Sequence, residues 1–181
     1  MTRSRPSLLI VLLLALVATA LALGTASERS GGRNRDLFDV KRLGGSGGGV
    51  LQIDELGVST SISSHSFGVT NSGTIGGGGG GAAGKAQFSA LMVRKAIDNS
   101  SPVLMSAVAT GIHASEAVVT VFKPGTTRAL GVYELDDVIV TAVEQTGAKK
   151  NAEAVSLNFG RVTFTAGGSS MCFDLVGNIS C

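Results

Sequence analysis

The sequence predicts a mainly β domain, a sandwich or barrel with one helix packed on it. Three observations carry this. Apolar residues recur with a period of two in several segments after Ala86. Only one stretch has the start and stop signals of a helix. Turn-forming Gly, Pro and polar clusters separate the apolar runs.

Taken in order, the elements begin after a polar stretch, Ser27–Asp36. LFDVKRL (Leu37–Leu43) reads as a short strand, and GGSGGG (Gly44–Gly49) as a flexible connector. VLQIDEL and VSTSISSHSFGVT are rich in β-branched residues and Ser, and NSGTIGGGGGGAAG is a second Gly-rich loop. AQFSALMVRK reads as one strand, with Phe88, Ala90 and Met92 on one face and Leu91 and Val93 on the other. SSPVLMSAVATG is the helix: Ser101 suits the N-cap, Pro102 the first helical position and Gly111 the stop. EAVVTVF and a strand starting near Leu130 flank the KPGTT turn. YELDDVIVTAVEQ places Val138, Val140 and Ala142 on one face, and EAVSLNFGRVTFT sets Val155, Leu157 and Phe159 against Ser156, Asn158 and Gly160. The expected total is six to eight strands and one helix.

Composition narrows the function classes. The net charge is +2, and Arg3 and Arg5 account for that excess at the extreme N-terminus. Aromatics are 4% and Trp is absent. Neither a basic field nor a stacking surface for nucleic acid is expected. LLIVLLLALVATALAL (Leu8–Leu23) is uncharged and, at about 16 residues, shorter than the ~20 that span a bilayer. Gly24 and Ala26 supply the small residues of a cleavage site. The pattern is a secretory signal peptide cleaved after Ala26, with Ala20 and Ala22 as alternative sites, which leaves no membrane segment and a secreted or periplasmic protein. In that oxidising space Cys172 and Cys181 are expected to form a disulfide, adding roughly 2.5–3 kcal/mol by chain-entropy reasoning.

The chemical motifs resolve to structural readings. Gly79–Ala86, GGGAAGKA, lacks the Ser or Thr of a phosphate loop, follows no buried strand and precedes a strand rather than a helix. The two histidines, His65 and His113, carry no nucleophile-elbow pattern and read as surface or loop residues. Glu134, Asp136 and Asp137 read as a solvated strand edge rather than a calcium site. No enzyme activity, cofactor or metal is expected. Asn99-Ser100-Ser101 and Asn178-Ile179-Ser180 match a glycosylation acceptor, the first spoiled by Pro102.

SFGVTN, the run from Gly84 to Gly125, LDDVIVTAVEQTG and EAVSLNFGRVTF together resemble the haemolysin-coregulated protein (Hcp) family, the tube-forming component of type VI secretion systems. The resemblance spans Ser66 to Phe164. Its motif positions are Phe67, Gly84, Lys85, Phe88, Ser101, Pro102, Thr110, Gly111, His113, Asp137, Ser156, Leu157, Asn158 and Phe159. It implies a β-barrel of two packed sheets with one flanking helix, Pro102–Thr110. It also implies hexameric rings that stack into a tube, small effector proteins as cargo, and neither catalytic residues nor cofactor. The chain departs from the family in its export signal, in Phe67 where a Trp is usual, and in the tail MCFDLVGNISC.

The expected organisation is therefore a signal peptide over residues 1–26 and a Gly/Ser/Arg-rich leader over 27–49. An Hcp-like barrel over 50–166 and a tail over 167–181 complete it. The leading expectation is an exported, ring-forming structural protein. A secreted monomeric binding module on the same barrel is the alternative, and a hydrolase using His65 or His113 ranks below both.

Overall fold

The computed structural model describes residues 48–73, 84–147 and 151–181. The expected signal peptide, the strand at Leu37–Leu43 and most of the second Gly-rich loop lie outside these residues. In chain order the elements are β1 (Gly49–Ile53), a 3-10 turn (Asp54–Leu56), β2 (Val58–Ser66), β3 (Val69–Asn71), β4 (Ala86–Phe88) and β5 (Leu91–Ala96). Then come α1 (Ser101–Thr110), β6 (His113–Phe122), β7 (Ala129–Thr146), β8 (Ala152–Ala166), β9 (Ser169–Asp174) and β10 (Ile179–Ser180).

The main sheet runs β10-β9-β8-β5-β2-β1-β6-β7, and β7 pairs back onto β8. Six strands thus close an antiparallel barrel, with β9 and β10 outside it. Closure leaves those six strands without a free sheet edge. The long β8 makes this possible. One edge pairs along its length with β7, and the other is divided, Ala152–Leu157 pairing β5 and Arg161–Ala166 pairing β9. The expectation of a mainly β barrel with one helix holds.

Period-two burial fills the barrel. Leu51 and Ile53 from β1, Leu91 and Val93 from β5, and Val155 and Leu157 from β8 are all fully buried. Leu135 from β7 joins them, and Leu104 and Ala107 of α1 complete the core.

Three strands break this alternation in the same row. Inward residues are spaced by three at Ala114/Ala117, Leu135/Val138 and Phe159/Val162. The registers place Ser115, Asp137 and Gly160 side by side at the break. Asp137 has φ 52, the left-handed region, so the regular ladder is interrupted there without a change of register. Backbone groups along the row find other partners. Ser115 N–H donates to Glu55 Oε2 at 2.6 Å, and Leu175 N–H donates to the Gly160 carbonyl at 2.9 Å. Bonds from the Ser115 hydroxyl and amide hold the Glu55 carboxyl below its usual range. Glu55→Ala should therefore speed hydrogen exchange at the Ser115 amide severalfold and leave the melting temperature almost unchanged.

Two local expectations are corrected. The segment Ala86–Lys95 is two strands, not one. Ser89 N–H donates to the Gly68 carbonyl and Ser89 Oγ accepts from Gly68 N–H, both at 2.9 Å. This clamp diverts β4 into a separate ribbon with β3, while β5 enters the barrel. The helix also begins one residue early. Ser100 occupies the N-cap and Ser101 the first turn, so Pro102 is second. Ser101 is buried, and its hydroxyl accepts from the Asp98 amide at 3.0 Å and is also engaged by Lys95 and Glu153. Gly111 stops the helix as expected, at φ 66 with its N–H on the Ala107 carbonyl.

Candidate functional site

Two built clusters mark the barrel, about 20 Å apart along β8 if measured from Glu153 to Phe159. The first is polar and lies inside the barrel at the N-terminus of α1. In β5 the inward series Leu91, Val93 continues to Lys95. In β8 the inward series that includes Val155 and Leu157 begins at Glu153. Lys95 and Glu153 are direct cross-strand partners with fully buried side chains, Nζ to Oε1 2.8 Å. Lys95 Nζ also donates to Asp98 Oδ1 at 2.8 Å, the Ala96 carbonyl at 2.9 Å and Ser101 Oγ at 3.3 Å.

The carboxylates are saturated in turn. Glu153 accepts from Ser101 Oγ at 2.8 Å and Gln145 Nε2 at 3.0 Å. Asp98 accepts from the Ser100 amide at 2.8 Å, and from Ser100 Oγ and Thr60 Oγ1, both at 2.6 Å. Burial alone would push both carboxyls up. Hydrogen bonds from Lys95 with Ser100 and Thr60 at Asp98, and from Lys95, Gln145 and Ser101 at Glu153, more than offset it. Both therefore stay below the usual carboxylate range. The cluster ties β2, β5, β7 and β8 to the start of α1. No buried side-chain polar atom among the described residues lacks a partner. With every buried polar atom of the cluster bonded internally, this arrangement reads as a structural lock.

The second cluster is aromatic. Phe67 is its middle, with ring centroids 5.4 Å from Tyr133, 5.9 Å from Phe159 and 6.1 Å from Phe88. Phe88 reaches Phe173 of β9 at 4.9 Å, and Tyr133 stacks on Phe164 at 4.4 Å. The β3–β4 ribbon and the β8–β9 hairpin are thereby fixed to the barrel. Burial pushes the Tyr133 phenol up, so it is neutral at physiological pH.

Several of the motif residues lie in or beside these clusters. Phe67, Phe88 and Phe159 are aromatic-cluster members, Ser101 belongs to the polar lock, and Leu157 is core. Gly84 is a close-approach position. A Cβ there would lie 2.3 Å from the Gly73 amide nitrogen, and its carbonyl accepts from Asn71 Nδ2 at 3.1 Å. Lys85 is exposed, immediately before β4. The Gly-Lys pair thus opens a strand, which a phosphate loop does not do.

His113 Nδ1 meets Asp137 Oδ1 at 3.0 Å, but these side chains are 59% and 69% exposed. Ser115, the nearby serine, gives its amide and hydroxyl to Glu55. His65 lies against Tyr133 at 5.6 Å. The structure therefore brings His113 and Asp137 together without a buried, water-excluding pocket around them. Asp136 faces Arg161 at 3.7 Å, and among the described residues no group of three or more His, Cys, Asp or Glu is placed to hold a metal. None of their helices is long and apolar enough to cross a membrane.

Sequence reasoning missed the polar lock. The signal was present: Lys95 and Glu153 each occupy an inward position in an otherwise apolar alternating series.

The tail adds a hairpin outside the barrel. Cys172 and Cys181 are disulfide-bonded, with Cα atoms 5.2 Å apart, across the β9–β10 hairpin. Reduction should cost at most roughly 2.5–3 kcal/mol. The loss should appear as faster amide exchange confined to residues 169–181, with β1, β5 and β6 unaffected. Exchange that rises throughout the barrel would show that the hairpin is integral to the core.

Comparison with known proteins places this geometry. A family model described as "Type VI secretion system effector, Hcp" matches residues 49–165. No curated relative matches by sequence. Among solved structures, one titled as a type six secretion system protein superposes with TM-score 0.66 at 21% identity. It covers 75% of this chain and 100% of that one. Hcp1 from Salmonella typhimurium gives 0.62 at 22%, covering 76% and 100%. A type VI secretion system effector from Yersinia pestis gives 0.55 at 21%, covering 70% and 98%. Likeness at these identities shows a shared fold.

Proposed function

Because this chain belongs to the Hcp family of type VI secretion effectors, we propose that it is a non-enzymatic structural protein that associates with itself into rings and acts outside the cytoplasm. The supporting observation is the family match, which runs from the start of β1 to Thr165, one residue short of the end of β8, and so takes in every strand of the closed barrel. What the resemblance implies for a family member is a hexameric ring, stacking of rings into a tube, and small effector proteins carried inside. A fully satisfied polar lock and an exposed His113–Asp137 pair suit a scaffold better than a catalyst. Negative-stain micrographs of the purified protein test the reading. Annular particles with an open centre are expected, and a field of single barrels would contradict it.

A second reading has its own support. The β9–β10 hairpin reaches beyond the matched residues and carries Val176 at 86% exposure and Ile179 at 60%. A monomeric exported binding module would use this stapled hairpin as its contact. Export rests on residues 1–26, which we read as a signal peptide cleaved after Ala26. N-terminal sequencing of the protein recovered from the cell envelope or medium should begin at Ser27, and a start at Met1 would remove that step.

A further inference from the structure

A cavity of about 180 Å³ opens at the barrel surface, lined by His65, Val121, Leu130, Gly131, Tyr133 and Phe164. The β1–β2 ladder ends at Gly49–Ile62, whereas β2 continues to Ser66, so β2 outruns β1 beside it. Gly131 keeps the wall in place. A Cβ there would lie 2.8 Å from Phe164 Cε2, and the ring would have to shift. Leu130 at the rim is 50% exposed. Small-molecule pockets begin near roughly 300 Å³, so this cavity suits one or two side chains.

An apolar side chain without a packing partner stands elsewhere on the same surface. Val176, at the β9–β10 turn, is 86% exposed. The turn that carries it is preformed. Asp174 Oδ1 accepts from the Gly177 amide at 2.8 Å, Leu175 N–H donates to the Gly160 carbonyl at 2.9 Å, and the Cys172–Cys181 disulfide closes the hairpin. A side chain held out by a fixed turn loses little freedom on burial. Val176 cannot reach the cavity of its own chain. The Leu175 bond pins the turn beside Gly160, whereas Gly131 pairs with Ala166, six residues or about 20 Å further along β8.

The two surfaces are opposite in charge. Glu116, Asp136, Arg161 and Asp174 stand in one row across β6 to β9, three acids to one base. Residues 167–181 contain no Lys or Arg. Beside the cavity, Lys123 and Arg128 are exposed and bracket the β6–β7 turn, with Lys123 N–H on the Arg128 carbonyl at 2.9 Å. Val119–Gly131 contains no Asp or Glu. Such complementarity selects which faces meet.

We propose that the β9–β10 hairpin of one copy seats Val176 in this cavity of a second copy, with the acidic row of the first meeting Lys123 and Arg128 of the second. Hairpin and cavity are different patches of one chain, so the contact is heterologous. It repeats head to tail and closes into a ring when the rotation between copies allows. It rests on the self-association proposed above and names the surfaces that meet.

Two variants test it, Val176→Asp and Leu130→Asp. Both change exposed residues, so their circular dichroism should match that of the unmodified protein. Light scattering then reads the contact. The unmodified protein should be multimeric, and either variant alone should weaken association at least about tenfold, leaving protomers. An equimolar mixture of the two should give a dimer and nothing larger, because each pair of chains retains one intact hairpin and one intact cavity. Variants that stay multimeric would overturn the contact while leaving self-association standing. A monomeric unmodified protein would remove both. Loss in only one variant, or a mixture that stays at the protomer mass, would overturn the pairing by assigning the cavity or the hairpin to another partner.

Discussion

Replacing Lys95 by Met should destabilise the barrel by about 3–5 kcal/mol, because it strands a buried Glu153 carboxylate without its cation. Against a typical total of roughly 5–15 kcal/mol, this is a third or more of the fold's stability. Denaturant unfolding followed by circular dichroism measures it. The paired change Lys95→Met with Glu153→Leu should recover most of the loss, since two apolar side chains in register make a tolerable core contact. A single-variant loss below about 1 kcal/mol would show that Glu153 is reached by water.

The same cluster fixes a direction for pH. The Asp98 and Glu153 carboxyls lie below their unfolded values, so their contribution is present above the ordinary carboxylate range near pH ~4. It is lost as the pH falls through and below that range. In Lys95→Met the carboxyls lose the donor that lowers them, and this acid sensitivity should flatten.

The second large effect is expected at Leu157. Its side chain is fully buried, between Leu91 and Val140 in the registers of β5 and β7. Leu157→Ala should cost about 2–5 kcal/mol through lost burial and the cavity left behind. Ser156 is the control. It is half-buried on the opposite face, and its backbone carbonyl accepts from the Thr141 hydroxyl. Ser156→Ala should therefore change stability by no more than about 0.5 kcal/mol. Equal losses at the two positions would mean that β8 is out of the register described.

These two positions also show where sequence reasoning succeeds. Val155, Leu157 and Phe159 declare their face by alternation alone, and the helix stop at Gly111 follows from the residue itself. The strand break at Ser89 was not legible. It depends on a clamp to Gly68, 21 residues away, and nothing local marks it. The interrupted row at Ser115, Asp137 and Gly160 is hidden for the same reason. Each residue is ordinary in its own segment, and only the inter-strand register aligns them. Ser101 looked like a cap because Ser before Pro often is one, but its hydroxyl is held by Lys95 and Glu153. The lock itself was readable in principle. Opposite charges stood at inward positions of two apolar strands, and their opposition becomes clear only once β5 is paired with β8.

The most direct test of the structural role is the mass of the purified protein in solution, measured by light scattering at tens of micromolar with and without reductant. A ring former should give a discrete multiple of the protomer mass, six for the family's ring, under both conditions. A strict monomer across that range would contradict the proposed role.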